Sequence, residues 1–137
     1  MTIPQQFFVY GTLKRGLQYE TVWPCRPRSV QIAWTRGTLF DRRDYPSMTR
    51  GTDRVLGEIW QFDAEQIQAV AAALDVLEDT NGNGPDDLYH RLTTEAFDLD
   101  DKSIGIAHVY HFVRDPLECG FTKIMPNANN FVAWPLP

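Results

Sequence analysis

Four consecutive apolar or aromatic positions, Phe7-Phe8-Val9-Tyr10, run directly into Gly11 and predict a short strand covered on both faces, with a bend at its end. Leu17 to Pro27 contains Pro24 and Pro27 and predicts a turn or short helix followed by a loop. From Val30 the alternation Val30, Ile32, Trp34 predicts a half-buried strand, with Gly37 placed to bulge it before Leu39 and Phe40. Asp41 to Arg54 is polar, and Asp44-Tyr45-Pro46 reads as a turn. In Val55 to Phe62, Val55 and Ile59 share one face while Leu56, Trp60 and Phe62 share the other. Apolar residues on both sides imply a sheet that is curled or covered.

The period then changes. Ile67, Val70, Ala71, Leu74 and Leu77 follow helical spacing, with Asp63 as the expected N-cap and Gln66 at the capping-box position. Asn81-Gly82-Asn83-Gly84-Pro85 ends the helix. Leu88 to Leu99 and Ile104 to Val113 predict two strands joined at Asp100-Asp101-Lys102-Ser103, an antiparallel hairpin. The stretch from Asp115 carries no clear signal, but its Phe131-Val132-Ala133-Trp134 run is apolar enough to pack on the body. Strands first, one helix, then a hairpin is an α+β order. The expected architecture is a small mixed β-barrel or strongly curled sheet with one main helix packed against it, formed by residues 1–137 as a single domain.

Composition changes this picture little. The chain has 137 residues, 43% hydrophobic and 23% charged, which fits one ordinary globular core. Its net charge of −5 argues against a general electrostatic grip on nucleic acid. No basic start leads into a long apolar segment, so the expectation is a cytoplasmic protein without a membrane partner. Cys25 and Cys119 match no metal or redox spacing and read as reduced thiols. His108 and His111, three apart in a strand, fall on opposite faces, so no metal site is expected.

Two places carry candidate chemistry. The Gly11-Thr12-Leu13-Lys14-Arg15-Gly16 turn offers backbone N–H groups that suit a carboxylate or an oxyanion. It is no phosphate loop, because Leu17 and Gln18 stand where Lys and Ser or Thr are required. The second place is Glu78. At about 100° per residue it falls within the arc of Ile67, Ala71, Leu74 and Leu77, with Asp75 and Asp79 towards or beyond the edge. Desolvation and the helix C-terminus both raise the proton affinity of such a carboxyl, the profile of a general base that later acts as an acid. The plain alternatives are a structural pair with Arg91 or a frayed end that reaches solvent. Tyr89 and Arg91, two apart in a strand, point to one face, and Tyr110 adds a phenol from the neighbouring strand.

Val9-Tyr10-Gly11-Thr12-Leu13-Lys14-Arg15-Gly16 resembles the N-terminal signature of the gamma-glutamyl cyclotransferase-like family, and more particularly its gamma-glutamylamine cyclotransferase branch. Leu74-Asp75-Val76-Leu77-Glu78, followed by Tyr89-His90-Arg91, is similar to the second signature, and the likeness runs in register from about residue 7 to about residue 112. The resemblance implies a small mixed barrel, no metal or cofactor, and release of 5-oxoproline from a gamma-glutamyl small molecule. It makes Glu78 the acid/base and Tyr10, Gly11, Thr12 and Leu13 the loop that grips the gamma-glutamyl moiety, with Tyr89 and Tyr110 lining the pocket. Two features depart from it. Asp79 stands where many members have Gly, and the Asp79 to Leu88 segment is longer, placed to gate the pocket, alter the leaving group or obstruct it.

Two rival readings remain at this level. Asp79-x-Asn81-x-Asn83-Gly84 matches the first half of a calcium loop, although His90 stands at the twelfth position in place of a bidentate Glu. The other is a non-catalytic small-molecule-binding protein or subunit on the same fold, favoured if the loop plugs the pocket. The leaving amine and the oligomeric state have no mark in the sequence.

Overall fold

A computed structural model describes residues 3–136. The strands are β1 (Gln6–Val9), β2 (Ser29–Asp41), β3 (Pro46–Gln61), β4 (Tyr89–Phe97), β5 (Ser103–Phe112) and β6 (Thr122–Lys123), with one helix, α1 (Ile67–Leu77), between β3 and β4. Hydrogen bonding runs in the order β3-β1-β5-β4-β2, and β2 pairs back onto β3, so five strands close into a mixed barrel. β1 is the one inserted parallel strand: it lies antiparallel to β3 and parallel to β5. This is the α+β barrel with one helix that the pattern predicts.

The apolar residues on both faces of the strands serve two cores. Phe8, Ala33, Ile59, Ala96 and Val109, one from each barrel strand, meet in the first. Their neighbours in alternation, among them Phe7, Trp60 and Phe112, face the second, where Ile67, Val70 and Leu74 of α1 cover them. Phe7 and Phe8 are consecutive and both at most 1% exposed, so β1 is covered on each side. Gly57 lets β3 cross β1 closely, since a Cβ there would stand 2.3 Å from the Val9 carbonyl oxygen.

Three boundaries differ from the pattern. β3 starts at Pro46, well before Val55, because Pro46 to Arg54 pairs with the outer half of β2, Arg36 to Asp41. The expected bulge at Gly37 is present, but the surplus residues, Arg50 to Thr52, belong to β3. The capping box does not form: α1 starts at Ile67 without a side-chain cap, and the Asp63 carboxylate faces Arg28 Nε at 3.4 Å. Leu17 to Pro27 contains a short 3-10 helix, Glu20–Val22, and the two predicted hairpin strands appear as β4 and β5.

The C-terminal segment does pack on the body. Val132 bridges to Val55, exchanging backbone hydrogen bonds with Arg54 and Leu56, and Trp134 Nε1 donates to Asp41 at 2.8 Å. Among the described residues no helix is long and apolar enough to cross a membrane.

Candidate active site

Beyond β1 the chain turns sharply at Gly11, where a Cβ would stand 2.7 Å from Pro46 Cγ, so the close approach admits only glycine without displacement. The carbonyls of this turn are used internally: Gly11 accepts from Lys14 N, Thr12 from Tyr19 N, and Leu13 from Trp23 Nε1. The amides of Thr12 and Leu13 have no acceptor among the described residues. From outside the loop, the buried Glu58 receives Arg15 N at 2.9 Å, Arg15 Nε at 3.0 Å and Trp60 Nε1 at 3.1 Å. Lys14 Nζ donates to the Trp134 carbonyl, tying the C-terminal segment to the same loop.

Opposite stands the end of α1. Glu78 N donates to Leu74 O, Asp79 N to Val76 O and Thr80 N to Asp75 O, and Asp79 takes a left-handed φ of 53°. These are the bonds of a Schellman ending, whose left-handed position favours glycine. The turn fixes Glu78 as the last residue of the helical spiral and leaves its side chain pointing across an open space.

That space is a cavity of about 390 Å³, bounded by Tyr10 to Leu13, Tyr45 and Pro46, Leu77 and Glu78, Leu88 and Tyr89, and Tyr110, with Gln18, Tyr19 and Asp44 towards its mouth. The volume is that of a small-molecule site. The Glu78 carboxyl makes no hydrogen bond among the described residues, and burial pushes its pKa up to about 7.

The phenols around it all have their protons committed elsewhere. Tyr10 OH donates to the Tyr110 carbonyl at 2.5 Å, Tyr89 OH to the Pro46 carbonyl at 3.1 Å, and Tyr110 OH to Asp75 Oδ1 at 2.6 Å. A carbonyl has no proton to give, so Tyr10 and Tyr89 must be donors in those bonds. Desolvation raises all three phenol pKa values, and Glu78, which lines the same cavity, adds to the rise in each. The wall beside Glu78 therefore offers lone pairs, while the loop opposite offers N–H groups. Such a cavity suits a molecule with an anionic oxygen group at one end and an N–H donor at the other. At the mouth, the hydrogen-bonded Arg42 guanidinium holds Asp44 below the usual carboxylate range.

Of the residues singled out from sequence, Tyr10, Gly11, Thr12, Leu13, Glu78, Tyr89 and Tyr110 surround this one cavity. Arg91 does not line it. Two residues further along β4 the chain has moved about 7 Å, and the guanidinium turns to α1, where Nε meets Asp75 Oδ1 at 3.0 Å. The structural pair is thus with Asp75 and not with Glu78. Asp75 itself, on the same helix face as Glu78 at i+3, was detectable by spacing, whereas Pro46 and Tyr45 reach the site only through the pairing of β3.

Of the Asp79 to Leu88 segment only Leu88 borders the cavity, and residues 79–87 form no part of its wall. Asp87 gathers Asn81 N, Gly84 N and Thr80 Oγ1, and the Asn83 side chain both donates to and accepts from the Arg91 backbone. Asn83 Oδ1 is thus spent on fastening the loop to β4, and the Asp87 carboxylate on closing the loop on itself.

A closed five-stranded mixed barrel with a single covering helix is the architecture of gamma-glutamyl cyclotransferase-like proteins. The gamma-glutamyl cyclotransferase, AIG2-like family matches residues 7–127, and the chain belongs to that family. Among solved structures it is similar to YkqA from Bacillus subtilis, with 24% identity and a TM-score of 0.60 over 89% of this chain. The chain spans 38% of the length of YkqA. An AIG2-like protein from Mus musculus is 19% identical with a TM-score of 0.55, each chain being covered over 96%. PH0828 from Pyrococcus horikoshii is 18% identical with a TM-score of 0.53, over 81% of this chain and 80% of that one. At these identities the likeness is one of fold. Among curated proteins none matches the sequence.

Proposed function

We propose that the protein is a cyclotransferase that releases 5-oxoproline from a gamma-glutamyl amine, amino acid or peptide, with Glu78 as the catalytic acid/base. The single observation that carries this reading is a carboxyl with a pKa near 7, set in one cavity with the amides of Thr12 and Leu13, none of the three having a hydrogen-bond partner among the described residues.

The substrate's α-carboxylate would rest on the Thr12 and Leu13 amides, with Tyr10 and Gly11 shaping the loop. Its α-amino group would face the phenol oxygens of Tyr10, Tyr89 and Tyr110 and the Glu78 carboxylate. Glu78 takes one proton from the ammonium, and the freed amine attacks the γ-carbonyl carbon to close a five-membered ring. Glu78 returns the proton to the leaving nitrogen, the tetrahedral centre collapses with cleavage of the C–N bond to it, and Glu78 then takes the second proton from the ring nitrogen and passes it to the departing amine, so that a neutral lactam and an ammonium are released. One carboxyl near neutrality serves both transfers, since at such a pKa both its protonated and its ionised form are populated at the working pH. The attack is intramolecular, so holding the bent conformer contributes alongside proton transfer. As written, the cycle uses only the substrate's atoms and one side chain.

Of the Asp79 to Leu88 segment only Leu88 borders the cavity, which supports turnover over a plugged, non-catalytic binding protein. The test is incubation of wild type and Glu78→Gln with a panel of gamma-glutamyl amines, amino acids and peptides, following 5-oxoproline by mass spectrometry. Release by wild type alone supports the reading. Equal release by both proteins removes Glu78 from the mechanism, and release by neither removes the activity.

A further inference from the structure

Asp75 lies outside the cavity wall, yet it controls one face of it. Its Oδ1 receives Tyr110 OH at 2.6 Å and Arg91 Nε at 3.0 Å. Arg91 Nη1 also donates to His108 Nδ1 at 3.3 Å, and His108 Nε2 donates to the Pro4 carbonyl at 2.9 Å. The direction of each bond is forced. A guanidinium only donates and a carbonyl only accepts, so His108 is the neutral Nε2–H tautomer. Asp75 Oδ1 is thereby anchored from the Arg91 side and stands fixed as the acceptor for Tyr110.

We propose that Asp75 is a positioning residue: by holding the Tyr110 hydroxyl proton it denies Glu78 a hydrogen-bond donor, and so sets how readily Glu78 takes up and releases a proton. The titratable groups that share the cavity wall with Glu78 include Tyr10 after β1, Tyr89 on β4 and Tyr110 on β5. Asp44, paired with Arg42, stands on the cavity wall, and Asp75 and Asp79 flank Glu78 in sequence. Tyr10 and Tyr89 give their protons to main-chain carbonyls. Tyr110 alone depends on a side chain, so a single substitution can release its proton. Relevance to turnover rests on the reading of Glu78 above, whereas the control of the Tyr110 proton does not require turnover.

The test is a side-chain 13C NMR titration of Glu78, assigned against Glu78→Gln, in wild type and four variants whose folding is checked by circular dichroism. Removing the acceptor with Asp75→Leu lets the phenol proton turn to Glu78, and the midpoint falls by about one pH unit, as expected when a carboxylate gains a hydrogen bond. Tyr110→Phe stays near the wild-type midpoint. The double variant Asp75→Leu/Tyr110→Phe returns to it, because no proton remains to be redirected. Asp75→Asn, which keeps an acceptor oxygen without the charge, also stays. An unchanged midpoint in Asp75→Leu overturns the proposal. So does a double variant as low as Asp75→Leu, or a low Asp75→Asn, since either outcome points to through-space charge or solvent entry. The titration reads the carboxyl directly, so absence of 5-oxoproline release would remove the proposed activity and leave this result standing.

Discussion

Asp75 and Glu78 stand one helical turn apart and carry carboxyls in opposite circumstances: Asp75 is held by Arg91 and Tyr110, while Glu78 has no partner among the described residues and a pKa near 7. A helix ending that leaves one acid satisfied and the next one wanting is poorly explained by stability alone. Burying an unpaired carboxyl costs free energy that a neutral side chain would not. The expectation that follows is a trade of stability for reactivity at this position.

The pH dependence of stability shows that trade. The folded protein keeps a proton on Glu78 that the unfolded chain, with an ordinary value of 4.5, has already released. Stability is therefore lost as pH rises from 4.5 to about 7, by roughly 3 kcal/mol in all. His111 opposes this. Burial, then Arg50, lowers its pKa from 6.5 to about 4, so stability is lost as pH falls through that window by a similar amount. Wild type is expected to be nearly flat between pH 4.5 and 6.5 as far as these two groups decide it. Urea unfolding of Glu78→Gln should show stability rising with pH across that interval, by roughly 3 kcal/mol more than wild type.

Asp79 occupies the left-handed position of the helix ending at φ 53°, with no need for a side chain in the cavity wall. Asp79→Gly should raise stability by about 1 kcal/mol, read as a higher midpoint in urea. Because the Glu78 backbone is held by the same bonds in either case, any activity should change by less than about twofold.

Gly11→Ala places a methyl group 2.7 Å from Pro46 Cγ. Overpacking of this kind costs about 1–3 kcal/mol, and relief requires the loop or the start of β3 to shift. Since both border the cavity, KM for a gamma-glutamyl substrate should rise about tenfold or more while the fold persists, measured by steady-state kinetics beside a thermal melt.

Glu58 organises the same loop from outside, with three hydrogen bonds from Arg15 and Trp60. Glu58→Ala leaves the buried Trp60 N–H and the Arg15 amide without their acceptor. The expected loss is about 2 kcal/mol, with faster hydrogen exchange at residues 12–16 than elsewhere in the barrel.

Much of this was legible in the chain because it is local. The Phe7-to-Tyr10 run, the helical spacing from Ile67 to Leu77 and the alternation of β4 and β5 are each written within a dozen residues. The 100° projection placed Glu78 on the apolar side of α1 for the same reason. What was not legible depends on partners distant in sequence. The polar Thr49 to Arg54 stretch becomes part of β3 by pairing with β2, and Asp63 takes Arg28 instead of capping α1. Arg91 was placed with Tyr89 by parity alone. Its actual partner lies 16 residues back, and the Tyr110 partner of Asp75 lies 35 residues away. Alternation gives the face on which a side chain emerges, but not how far along the strand the cavity extends.

The central claim is that Glu78 carries the proton between the attacking amine and the departing one. Its most direct test is the pH profile of kcat/KM for 5-oxoproline release, measured on wild type and Glu78→Gln with the best substrate of the panel. The account predicts a wild-type acid limb with a midpoint near pH 7 and a loss of at least about 10²-fold in Glu78→Gln. A wild-type profile flat from pH 5 to 8, or a Glu78→Gln protein as active as wild type, would contradict it.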